Sequence, residues 1–443
     1  MNRIRPRAAA AVAAGVVTAL LLAGCSTSSG ATIATKAPTT VKGTVSFWHF
    51  FTGREAGVLK TAVDDFEKAN PKVKVVIHDG QDDEKLQKAI SAGQPIDVGL
   101  SYSTDIVGTF CSTGAFKDLA PYIERDRVDL TQIPTAVRDY TQYKGKRCVL
   151  PVLSDATALY MNSDLLQKAG ITSPPKTIEE LETDALKMTT YNPDGSIRTL
   201  GFNPLMGFQE NTPQHLSAAI DGQFLDSKED SIIGRSADWK ALMQWQKGFV
   251  DRIGYAKLQR FTAGLGQEFA ADTPFEKGKI AMVLDGEWRT AFVVSDKSTV
   301  QYTTAPFPVA DDHPEMYGAT YITGNIAGIG KGSTNPEAAW ALLKYLATDT
   351  STQVLLGNGL KNVPTLTPAL TSSKLEVSNQ YRTFIDAAKN PKTITSPASK
   401  NGAAYLNDFE EAWDGYQTHG GDLTTILTKL DTTIDDANAL SGP

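Results

Sequence analysis

Apolar and polar positions alternate along Thr44-Val45-Ser46-Phe47-Trp48, the pattern of a half-buried strand. Val58, Leu59, Ala62, Val63 and Phe66 then recur at helical spacing until Asn70-Pro71 stops the run, and Val73, Val75 and Ile77 resume a two-residue period. Strand, helix and strand within about 35 residues form a βαβ unit, which predicts a parallel sheet covered by helices. The alternation continues. Residues 82–92 make a short amphipathic helix and residues 95–100 (PIDVGL) a buried strand, while Ser163 caps a helix that Gly170 ends. Thr177 and Glu180 form a capping box, with Ile178, Leu181, Ala185 and Met188 on the apolar side. Asn192-Pro193-Asp194-Gly195 is a tight turn, and Lys279–Leu284 reads as a buried strand. Asn335 caps a helix begun by Pro336, whose inner face carries Ala339, Leu342, Leu343 and Leu346. The fold class is α/β.

The N-terminus breaks this pattern. Arg3, Arg5 and Arg7 precede an apolar run over residues 8–22 that is too short for a membrane-spanning helix but suits a signal-peptide core. Leu22-Ala23-Gly24-Cys25 closes it with a bacterial lipoprotein cleavage pattern, in which Cys25 is acylated (diacylglyceryl thioether and palmitate) and becomes the mature N-terminus. The alternative is an ordinary secretory leader with an incidental cysteine. Residues 1–24 are thus read as signal peptide and residues 25–42, rich in Ser, Thr and Ala, as a flexible spacer. The expected location is extracytoplasmic, at the cell membrane through an N-terminal lipid.

Removing the three leader arginines takes the formal charge from −7 to −10, which argues against nucleic-acid partners. Roughly 420 mature residues suit two or three domains. Cys111 and Cys148 remain once Cys25 is set aside. Even parity outside the cytoplasm favours a disulfide over two separate buried thiols. The five histidines have no metal-ligand spacing, so neither metal nor cofactor is expected.

Ordered blocks along the chain resemble a known family. They are residues 44–51 (TVSFWHFF) leading to 65–71 (DFEKANP), 95–100 (PIDVGL), 114–119 (GAFKDL), 143–155 (YKGKRCVLPVLSD), 158–170 (ALYMNSDLLQKAG), 275–288 (FEKGKIAMVLDGEW), 326–346 (IAGIGKGSTNPEAAWALLKYL) and 359–364 (GLKNVP). With the lipoprotein leader they identify the chain as similar to the sugar-type (family 1) extracellular solute-binding proteins of bacterial ABC importers. The resemblance implies a monomeric, non-enzymatic protein with a two-lobe, periplasmic-binding-protein-like fold. It would bind a small solute in an interlobe cleft and deliver it to the transmembrane permease subunits. Crossings are expected near residues 150–155, 304–308 and 360–365. Lobe one would hold 43–151 with 307–360, and lobe two 152–306 with 361–443.

A sugar offers ring hydroxyls at its edge and apolar C–H faces, so its site needs aromatic platforms and polar partners on loops at strand ends. Trp48 is assigned to the core. His49 and Phe51 end the first strand, and Tyr102 and Asp105 follow the strand at 98–100, where the family sets an aromatic and an acid on the ligand. Asp155 matches a ligand-binding acid, with bracing of the crossing as its alternative role. Glu210 lies in the loop at 207–211, and Tyr321, Asn325 and Tyr405 complete the candidates. Trp288, in the Gly286-Glu287-Trp288 turn, occupies the position where the family stacks a tryptophan on the sugar. Glycerol 3-phosphate or another small solute is the competing ligand, although only Arg54 and Arg289 offer cations near the cleft. A hydrolase is the remote alternative; G-x-S-x-G and H-E-x-x-H are absent.

Overall fold

The predicted alternations become β1 (Gly43–Trp48) and β2 (Val73–His78), joined by the helix Gly53–Ala69 and paired in parallel from Gly43↔Val73 to Trp48↔His78. This computed structural model describes residues 33, 35–269 and 273–440, so the leader and Cys25 lie outside the described residues. Contacts divide the chain after Thr35, and all that follows concerns the unit beginning at Lys36.

β3 (Val98–Ser101), β4 (Val149–Asn162), β5 (Thr190–Tyr191), β6 (Ile197–Phe202), β7 (Ile280–Gly286), β8 (Tyr302–Ala305), β9 (Ile322–Ile329) and β10 (Val363–Pro364) complete the strands. Their path runs β2-β1-β3-β9-β4-β7-β6-β5, with β8 and β10 also on β4. β1 lies parallel to β2 and β3, but β9 runs antiparallel between β3 and β4. The sheet is therefore mixed rather than parallel, because β9 returns from the far part of the chain instead of from a local crossover.

β4 positions the site. Its fourteen residues are all buried, as in a strand covered on both faces. From Val149 to Ala156 it pairs with β9, and from Thr157 onward it turns to β7 and β8. Its register against β9 shifts between Pro151 and Leu153, where proline supplies no N–H. One expected crossing, 150–155, falls inside this strand, and another coincides with β10, which pairs with Leu153 and Ser154.

Several helix starts differ from expectation in detail. Asn162, not Ser163, caps Ser163–Ala169, its Oδ1 accepting from Leu165 N–H at 3.1 Å. The capping box is half-standard: Thr177 Oγ1 accepts from Glu180 N–H, but Glu180 returns to Lys176 N–H at 2.7 Å, one residue early. Asn335 occupies its cap position without capping, since its amide donates to Thr44 O at 2.8 Å and ties the helix Pro336–Thr348 to β1. Cys111 and Cys148 are disulfide-bonded with Cα atoms 5.4 Å apart, fastening the helix Val107–Thr113 to the start of β4. The loop this bond closes is worth about 4 kcal/mol of unfolded-state entropy.

Candidate ligand-binding site

Three strands end in aromatics. After β7, Trp288 begins a helix (Arg289–Ser295), and its indole lies flat over Gly286. A Cβ there would sit 2.2 Å from ring carbons, so only glycine leaves the shelf on which the ring rests. Trp288 is half-buried; its Nε1–H is enclosed beside the Asp285 carboxylate without a hydrogen bond of normal geometry. Phe269, 63% exposed, stands 6.3 Å from it, centroid to centroid. After β3, Tyr102 is half exposed and meets Phe50, from the end of β1, edge-on at 5.4 Å.

Acids gather beside Trp288. Asp285 receives Arg289 Nε at 2.7 Å, Arg289 Nη2 donates to Glu268 O at 2.7 Å, and Glu276 lies 3.7 Å from the same guanidinium. Arg289 is thereby buried and held on two sides, with Nη1 facing Glu276 beyond hydrogen-bond distance. Burial lifts the Glu210 carboxyl to about 7 and, with the Glu210 charge, lifts Glu268 to about 9; the two share a hydrogen bond. His215 Nδ1 lies 3.2 Å from Glu210 and 3.0 Å from its carbonyl, yet burial lowers the imidazole to about 4, so it stays neutral. Asp105, raised by burial, faces His215.

Of the sequence candidates, the structure brings Trp288, Glu210 and Asp105 to this acidic region and leaves Tyr102 exposed beside Phe50. The others sit deeper. His49 is fully buried with neither ring nitrogen partnered, and Phe51 packs on Phe50 at 4.2 Å. Trp48, assigned to the core, is instead half-buried against His78; Phe47 is the core residue. Tyr321 is buried with its hydroxyl on Ser396 Oγ at 2.7 Å, and Tyr405 packs on Phe224 while its hydroxyl donates to Pro397 O. Asp155 and Asn325 are buried in the β4–β9 crossing, bonded to each other at 3.1 Å. Glu268, Glu287, Asn362 and His215 were not singled out from the sequence. Glu287 and Asn362 lie inside the family blocks 275–288 and 359–364, the one signal that pointed to them.

Two features lie elsewhere. A concavity of about 640 Å³ lined by Lys257, Arg260, Lys277 and Lys279 contains none of these residues. Asp238, Asp312 and His313, the one group among the described residues whose ligand atoms gather closely enough for a metal, form a partly exposed surface cluster.

An aromatic shelf at a strand end, with hydrogen-bonding acids beside it and a strand shared by two sets of partners, has the chemistry of a binding protein for a small solute. The chain belongs to the bacterial extracellular solute-binding protein family, whose model matches residues 52–353. This is a family of binding proteins, not enzymes. The maltotriose-binding protein of Pyrococcus abyssi (strain GE5 / Orsay) is 23% identical over 336 residues, 75% of this chain and 69% of the relative. The solved structure of CpMnBP1 with mannotriose bound has a TM-score of 0.77 at 24% identity, covering 88% of this chain and 99% of that one. The acarbose-binding GacH receptor of Streptomyces glaucescens GLA.O reaches 0.71 at 20% identity, over 90% and 99% respectively.

Proposed function

We propose that this protein captures a neutral sugar or small oligosaccharide and delivers it to the permease of an ABC importer, tethered to the membrane by lipid on Cys25. The observation that carries the ligand class is the pairing of the Trp288 shelf with acids whose neighbouring cation, Arg289, is buried and bonded to Asp285 and Glu268 O. A ring C–H face stacks on the indole, and Glu210, Glu268 and Asp105 accept from hydroxyls or, where protonated, donate to them. A phosphate would meet like charge, because Arg289 already serves Asp285, Glu276 and Glu268 O, and Arg54 serves Glu55 and Gly359 O. Glycerol 3-phosphate is accordingly the weaker reading. In this account lobe one comprises 43–151 with 307–360 and lobe two 152–306 with 361–443, closing over the ligand in a monomer.

A thermal-shift screen of the full chain against mannobiose, mannotriose, maltotriose and glycerol 3-phosphate tests the reading. A ligand at 100 times its Kd adds roughly 2.7 kcal/mol. A shift with glycerol 3-phosphate alone would overturn it. Intact-mass analysis of membrane-extracted protein checks the anchor: a diacylated chain starting at Cys25 is expected, and an unmodified Cys25 contradicts it.

A further inference from the structure

The crossing at the middle of β4 holds two acids and no base. Asp155 accepts from Asn325 Nδ2 at 3.1 Å and from Asn362 Nδ2 at 2.5 Å. Glu287, the residue before Trp288, accepts from Ala156 N–H at 2.8 Å and from the same Asn362 nitrogen at 3.1 Å. Asp155 is 8% exposed and Glu287 fully buried, and one oxygen of each lies within 3.1 Å of the same Asn362 nitrogen. The titratable groups facing them bring no positive charge. Glu55, from the helix Gly53–Ala69, and Glu210 add like charge near Asp155, and the phenols are Tyr140, Tyr160 and Tyr381. Tyr381 itself donates to Asn362 O at 2.8 Å and holds that side of the crossing.

Two carboxylates this close and this buried cannot both ionise. Burial raises both, and the Asp155 charge raises Glu287 further, so Glu287 carries the proton and Asp155 accepts it together with the two amides. The arrangement joins four chain segments at one point: β4 through Asp155 and Ala156, β9 through Asn325, the β7 end through Glu287, and the residue before β10 through Asn362.

We propose that Asp155 and Glu287 share one proton, and that this acid pair positions the Gly286–Trp288 turn on the crossing strand so that losing the proton loosens the platform. Both are positioning residues; the part that concerns ligand rests on Trp288 being the sugar contact. The pair retains its proton at a pH where the unfolded chain has released it. Its stabilisation is therefore complete below the ordinary carboxyl range, about 4, and declines as pH rises through the pair's own higher range.

The test follows tryptophan emission and melting of the ligand-free full chain between pH 5 and pH 9, for wild type, Glu287→Gln and Asp155→Asn. Trp288→Phe serves to isolate the Trp288 signal. Wild type should show a pH-dependent Trp288 emission and a melting temperature falling by several degrees. Glu287→Gln, which carries no titratable proton at that position, should reduce both the emission change and the fall, and Asp155→Asn, which removes the charge that raises Glu287 further, should move the profile to lower pH. If Glu287→Gln does not fold, Asp155→Asn alone decides. Identical pH profiles in the wild type and the amide variant, or an emission change that persists in Trp288→Phe, overturns the proposal. No sugar is needed for this measurement. An amide variant that flattens the profile while no sugar binds would uphold the pair and overturn the ligand reading instead.

Discussion

The ends of β1 and β7 look alike in sequence and behave oppositely. Each is a strand running into aromatic residues, Trp48-His49-Phe50-Phe51 in one case and Gly286-Glu287-Trp288 in the other. After β1 the ladder continues: His49 N–H donates to His78 O and Gln81 N–H to His49 O, so the two-residue period persists. Phe47, His49 and Phe51 all point into the core, and Trp48 and Phe50 take the other side. After β7 the backbone turns into a helix at Trp288, and Gly286 leaves room for the indole to lie outward over the strand end. An aromatic at a strand end reaches solvent when the ladder stops and a glycine vacates the shelf; where the ladder runs on, parity decides.

The largest expected effects separate core from platform. Phe47→Ala should destabilise the protein by about 3–5 kcal/mol, read by urea denaturation, while affinity in the folded fraction stays within a factor of two. Gly286→Ala should do the reverse. Its methyl collides with the indole, costing about 1–3 kcal/mol of strain or expelling the ring, and sugar affinity measured by calorimetry should drop more than tenfold. An affinity equal to wild type would mean the ring is not a ligand surface.

Much of this fold was legible in sequence because it is written in local periodicity: β1, β2, β7 and the helices at 53–69 and 336–348 lie where the apolar pattern set them. The reversed direction of β9 was not, since strand order depends on contacts hundreds of residues apart. Around the candidate site, the placing of Trp288 in a turn at a strand end was legible from Gly286 and the family block. His49 and Phe51 were expected at the cleft by ending the strand at Trp48, whereas the parity they share with Phe47 puts both on the buried side. Asp155 was noticed, but its partner Glu287 comes from a segment more than a hundred residues away, so the acid pair could not be seen before the chain was folded.

The same comparison has a pH form with opposite signs. Burial lowers His49 to about 4 in the folded protein, against about 6.5 unfolded. Folding therefore keeps His49 neutral, and its contribution is present above the unfolded value and lost as pH falls from 6.5 toward 4. His49→Phe should flatten the acid side of the stability profile measured by thermal melting, whereas Glu287→Gln flattens the alkaline side. A smaller effect is expected at the other aromatic pair: Tyr102→Ala, removing a half-exposed ring, should weaken sugar binding only a few-fold, by less than about 1.4 kcal/mol.

The most direct test of the platform is a calorimetric titration of wild type and Trp288→Ala with the neutral oligosaccharide that shifts melting most. Losing the stacking face should weaken binding at least tenfold, about 1.4 kcal/mol, with the ligand-free melting temperature nearly unchanged. Unchanged affinity in a variant that melts early would show that Trp288 belongs to the core and that the sugar sits elsewhere.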